Sequence, residues 1–179
     1  MGTSQTEVTS ACLSDAALEL TLDEVTYDPS YFSIPYPNGD VPNDKGVCTD
    51  VVIRAYRKLG IDLQKEVHKD MLSHFSIYPK NWGLTRPDTN IDHRRVPNLM
   101  VFFKRHGHEK PISRKVDDYE AGDIVSWNLG NGLMHIGLVV DRFAADGKRP
   151  LIVHNIGGGQ VLEDCLFRYE IIGHYRYPK

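Results

Sequence analysis

Three side chains in this sequence have the chemistry to break an amide bond together, in the order Cys48, His135, His154. Cys48 ends a turn-forming run, Asn43-Asp44-Lys45-Gly46, and opens an apolar segment with helical spacing. A helix N-terminus has unpaired N–H groups and partial positive charge, which lower a thiol pKa from about 8.5 to roughly 3.5–7.5. Cys48 is therefore expected to be a thiolate nucleophile, with the same N–H groups ready to stabilise an oxyanion. The attack also needs a group that takes a proton and later returns it to the leaving amine, and histidine titrates in the useful range. His135 lies in "MHIGLVV" and His154 in "IVHNIG", both strand-like. Period two puts His135 on one face with Gly137 and Val139, and His154 with Ile152 and Ile156. On neighbouring strands, His154 could take the ring N–H of His135 and fix its tautomer. Alternation points Asn155, the competing orienter, to the opposite face.

These residues need a helix and a sheet to hold them. Val51, Val52, Ala55, Tyr56 and Leu59 form one helical face over Thr49 to Leu59, and Gly60 stops it. Further helices are expected over Ser14–Asp23, Leu63–Phe75 and Asn98–Arg105, the last closed by Gly107. The segment "YDPSYFSIPYPNGDVPNDKG" reads as an extended, turn-rich arm. Past the third helix the pattern changes to period two. "DIVSWNL", "MHIGLVVDRF", "PLIVHNIG" and "IIGHYRY" are expected as four antiparallel strands. Helices first and strands second make an α+β layout. Residues 1–26 are expected as an N-terminal extension with a short helix, and 27–179 as one domain.

Composition narrows the function classes. The net charge of −3 and pI near 6.2 give no footprint for nucleic acid. No apolar run is long enough to cross a membrane, and the first ten residues lack the apolar core of a secretory leader. Cys12, Cys48 and Cys165 are an odd set, so one thiol stays free even if Cys12 and Cys165 pair. His106 and His108 are close in sequence, but no HExxH or CxxC spacing suggests a metal, and no cofactor is expected.

The stretches "GVCTDVVIRAY", "AGDIVSWN", "MHIGLVVD" and "IVHNIG" together resemble the NlpC-type branch of the papain-like cysteine peptidases. From Tyr27 to Tyr177 the chain also resembles the bacterial family DUF1287, notably in "YPNGDVPNDKGVCTDV" and "NIDHRRVPNL". The resemblance implies a papain-like fold with Cys48 as nucleophile, His135 as base and acid, and His154 as third member. It implies a tyrosine about a dozen residues before the cysteine that supports the oxyanion, a spacing that fits Tyr36. The usual Asp-Cys-Ser-Gly is replaced by Val47-Cys48-Thr49-Asp50, and Asp50 suits a capping role while opposing thiol ionisation.

The implied activity is that of a monomeric hydrolase cutting an amide of the peptidoglycan stem, in the periplasm or secreted, with a cytoplasmic setting as the alternative. Stem peptides carry several carboxylates, and arginine pairs with carboxylates bidentately. Arg94 and Arg95, beside His93 and with Asp50, are accordingly the expected substrate-binding residues. A non-catalytic wall-binding module and an acyltransferase or thioesterase on the same fold are the competing classes. Histidine before cysteine would mark the latter, and here cysteine comes first.

Overall fold

A computed structural model describes residues 5–179, with side-chain surroundings described from residue 9 onward. Four helices precede the main sheet: α1 (Gln5–Leu20), α2 (Cys48–Lys58), α3 (Leu63–His74) and α4 (Val96–His106). Two short strands, β1 (Thr26–Tyr27) and β2 (Lys45–Gly46), pair in parallel just before α2. The sheet comprises β3 (His108–Glu109), β4 (Ile124–Gly130), β5 (Leu133–Phe143), β6 (Pro150–His154), β7 (Val161–Glu163) and β8 (Glu170–Arg176). Its order is β3-β8-β4-β5-β6-β7, with every neighbouring pair antiparallel. The architecture is α+β, as the change of period implies.

The apolar stripe of α2 explains its place at the centre. Val51, Val52, Ala55 and Tyr56 are buried against Ile136, Leu138 and Val140 of β5 in one cluster. Full burial of each such valine stabilises the fold by about 2 kcal/mol. The helix ends as its sequence dictates, with Gly60 at φ 78°. α1 starts well before Ser14 and ends before Asp23, and it contributes Leu13, Ala16, Ala17 and Leu20 to the same core. α4 likewise starts earlier than its apolar pattern, with Pro97 in its first turn, where a missing N–H costs nothing. A second cluster lies on the other sheet face, formed by Val125, Trp127, Val139, Ile152, Cys165 and Leu166.

The motif "AGDIV" has a structural role. Asp123 accepts from His174 Nε2 at 2.7 Å and from Arg176 Nε at 2.8 Å. This buried carboxylate ties the start of β4 to β8. Burial opposes its ionisation, but the bonds from His174 and Arg176 outweigh that and hold its pKa below the usual value.

Candidate active site

The loop ahead of Cys48 is held in place by α2 itself. Arg54 bonds Asp40 through Nε at 3.0 Å, and its Nη2 donates to the carbonyls of Pro42 at 3.2 Å and Lys45 at 2.8 Å. One guanidinium thereby pairs with a carboxylate and satisfies two loop carbonyls. Asp50, in the first turn, accepts from the Val47 N–H at 2.7 Å, which is half of a capping box. Cys48 is the first residue of the helix.

The Cys48 thiol is buried and meets the backbone N–H of Ile136, with its own N–H and that of Thr49 also directed to it. The sulfur thus lies beside the peptide unit that joins His135 to Ile136. Burial pushes the thiol pKa up to about 12, with Asp50 adding to the rise, and the three N–H groups offset only part of it. This corrects the expectation of a resting thiolate: at this helix start, desolvation outweighs the helix terminus.

His135 Nε2 lies 2.7 Å from His154 Nδ1, and His154 Nε2 lies 2.7 Å from Glu163 Oε2. Strand register makes the first contact possible. Leu138 pairs with Val153, so Gly137 comes opposite His154 and His135 lies diagonal to it on the same face. Gly137 has no side chain to obstruct that diagonal. A Cβ there would stand 2.9 Å from Ile152 Cγ2 and 3.1 Å from His154 Cβ. Burial, reinforced by neighbouring His154, takes His135 down to about 3, so its ring is neutral at rest. Burial also lowers His154, partly offset by Glu163.

Asn155 serves a different purpose. Its Nδ2 donates to the Gly46 carbonyl at 3.4 Å, while its Oδ1 accepts from the N–H groups of Gly157 and Gly159. It fixes the loop after β6 against β2, and His154 is the residue that reaches His135.

A cleft of about 480 Å³ opens over the sulfur, lined by Tyr27, Cys48, Trp82, Arg94, Arg95 and Met134 among others. Tyr27 pairs with Gly46 in the short parallel strands, which brings its ring to the cleft. Its hydroxyl pKa is raised by burial first and then by Cys48 and Asp50. Tyr36 is elsewhere: it packs edge-on against His68 of α3 with ring centroids 5.0 Å apart. The spacing that favours Tyr36 fails because its ring is taken up by α3 and does not line the cleft. Tyr31 bonds Asp88 and Asn90.

The expected substrate-binding residues also separate. Arg94 gives Nε and Nη2 to Asp50, both at 3.0 Å, and Nη1 to the Ser30 carbonyl. Asp50 and Arg94 are buried together, so they hold the helix start to the 92–95 turn and Asp50 offers nothing to a substrate. His93 is buried, and desolvation, with Arg94 and Arg57 nearby, takes it down to about 3. It faces the interior and is not placed to bind a ligand. Arg95 stacks over Trp82, 4.0 Å from the ring centroid, and its ion pair with Asp92 is a long 3.7 Å contact. Nη1 of Arg95 has no hydrogen-bond partner among the described residues.

Cys12 and Cys165 are both free, the first exposed on α1 and the second buried. Cys165 Sγ lies 3.7 Å from His154 Nε2. With Glu163, these two form the one three-donor group of metal-ligating type among the described residues. Arg168 bonds Glu163 Oε1, putting a fixed cation where a metal would need negative charge.

The fold and site define an α+β protein with a buried thiol at a helix start and a hydrogen-bonded histidine pair on the sheet. Residues 14–177 match the family described as a domain of unknown function, DUF1287, and the chain belongs to that family. A protein of Escherichia coli (strain K12) bearing the name Uncharacterized protein YijF is 54% identical over 169 residues, covering 94% of this chain and 82% of its own. A crystal structure of an N-acetylmuramoyl-L-alanine amidase from Bacteroides uniformis ATCC 8492 matches with a TM-score of 0.53 and 14% identity. The match covers 96% of this chain and 100% of that one, and the likeness is one of fold.

Proposed function

We propose that this protein is a cysteine hydrolase of the papain-like, NlpC type that cleaves an amide bond in peptidoglycan stem peptides. The observation that carries this reading is the placement of Cys48 Sγ against the Ile136 N–H, one residue along β5 from His135, whose Nε2 is held by His154. With Nε2 of His135 engaged, Nδ1 is the nitrogen left for the thiol proton.

Sulfur and base are both neutral at rest, so ionisation accompanies attack. Sγ bonds to the substrate carbonyl carbon while its proton passes to His135 Nδ1. The carbonyl oxygen becomes an oxyanion, stabilised by N–H groups at the start of α2 and by the Tyr27 hydroxyl. His135 then returns the proton to the leaving nitrogen, and the C–N bond breaks to leave a thioester on Cys48. Water, deprotonated by the same imidazole, attacks the thioester; a carboxylate product leaves and the thiol is restored.

Arg95 supports a substrate rich in carboxylates. It lines the cleft and stacks on Trp82, and its Nη1 has no hydrogen-bond partner among the described residues. The amidase named on the shared fold makes a wall substrate the reading with most support. An intact wall as substrate goes with a periplasmic or secreted setting, and wall fragments with a cytoplasmic one. No helix among the described residues is long and apolar enough to cross a membrane.

The test is digestion of purified peptidoglycan by the wild-type protein and by Cys48→Ala, with fragments identified by mass. Soluble fragments from the first and none from the second are expected, and the fragment masses name the bond. Equal release by both proteins would overturn the reading.

A further inference from the structure

We infer that Glu163 is a fourth member of the site, a positioning residue that fixes which nitrogens of His154 and His135 carry protons. The inference rests on the hydrolase reading above but comes from a different part of the chain. Glu163 ends β7, a three-residue strand at the sheet edge beyond His154.

The argument follows hydrogen-bond polarity. Arg168 bonds one oxygen of Glu163 and His154 Nε2 meets the other at 2.7 Å. Burial would raise the carboxyl pKa, but these two partners outweigh it and keep the group ionised. An ionised carboxylate only accepts, so His154 Nε2 must carry the hydrogen. His154 is buried and neutral, so its Nδ1 is bare and accepts. The 2.7 Å contact to His135 then requires the hydrogen on His135 Nε2. Only Nδ1 of His135 is left bare, and that is the nitrogen that must receive the Cys48 proton.

Loss of the carboxylate removes the first constraint in this series. His154 could then place its hydrogen on Nδ1 and donate to His135 Nε2. That would move the His135 hydrogen to Nδ1, where it blocks acceptance from sulfur. The nearest remaining partner of His154 Nε2 is the Cys165 thiol at 3.7 Å, a weak acceptor. The carboxylate also favours positive charge on His135 while it holds the thiol proton. Glu163 does not line the cleft, so ground-state binding of substrate is not its task.

The experiment compares wild type, Glu163→Gln and Glu163→Asp in two ways. Steady-state kinetics on wall fragments should show kcat lowered by about 10²–10⁴-fold in Glu163→Gln with KM within about twofold, by analogy with loss of the triad carboxylate elsewhere. Glu163→Asp should recover part of that loss. Nitrogen-15 NMR of histidine-labelled protein should show His135 protonated at Nε2 in wild type and redistributed toward Nδ1 in Glu163→Gln. A Glu163→Gln protein that keeps wild-type kcat and the wild-type His135 tautomer would overturn the inference. Failure of the hydrolase reading would look different: wild type would be inactive on the wall, while NMR would still test the tautomer assignment on its own.

Discussion

His135 Nε2 and His154 Nδ1 stand 2.7 Å apart, joining two neighbouring strands by a ring-to-ring hydrogen bond. The contact depends on the bare backbone of Gly137. A methyl group there meets Ile152 Cγ2 at 2.9 Å and His154 Cβ at 3.1 Å, and neither can rotate away freely. Gly137→Ala should therefore push β6 outward, cost about 1–3 kcal/mol of stability as an overpacked site does, and lower kcat. Urea denaturation together with fragment-release kinetics checks this; wild-type values in both would refute it.

The pH profile should extend into acid. On the hydrolase reading the neutral imidazole of His135 is the base, and burial lowers its pKa to about 3. A lowered value means the base stays unprotonated well below the ordinary histidine value of about 6.5. The acidic limb of kcat/KM should fall below pH 5, measured over the range where circular dichroism shows the fold intact. A limb centred between pH 6 and 7 would contradict the burial of this ring.

On the hydrolase reading two tyrosines compete as oxyanion donor, and they lie in different places. Tyr27 stands at the cleft beside Cys48, whereas Tyr36 packs on His68. Tyr27→Phe should lower kcat by roughly 10–100-fold, somewhat less than loss of a fully enclosed oxyanion donor. Tyr36→Phe should leave kcat unchanged. The reverse order in side-by-side kinetics would restore the assignment made from spacing.

The buried pair of Asp50 and Arg94 should reveal itself in stability. Asp50→Ala leaves the Arg94 guanidinium buried with only the Ser30 carbonyl and removes the acceptor for the Val47 N–H. Breaking one side of such a pair costs about 3–5 kcal/mol. Chemical denaturation should show a loss of that size for Asp50→Ala, and a loss below about 1 kcal/mol would mean the pair is solvated.

Much of this architecture can be read in the sequence wherever a repeat reports on a face. The 3.6-residue spacing of Val51, Val52, Ala55 and Tyr56 gives α2, and period two around His135 and His154 gives both strands and their shared face. Features that depend on long-range pairing are hidden. β7 is too short to show a period, so Glu163 is invisible until β6 and β7 are paired. Tyr27 reaches the cleft only because two residues of β1 pair in parallel with β2. The Asp50–Arg94 pair joins distant segments that carry no mutual signal. The thiol illustrates a different gap: a helix start is readable locally, but the degree of desolvation that governs its pKa is a property of the whole core.

The central claim is that Cys48 forms a covalent acyl intermediate. Wild-type protein mixed with a stem-peptide substrate, quenched in acid within milliseconds and weighed intact, should gain the mass of the acyl half of the substrate. Peptide mapping should place that mass on Cys48, and Cys48→Ala should show neither adduct nor turnover. Turnover that persists in Cys48→Ala, or an adduct that maps to Cys12 or Cys165, would contradict it.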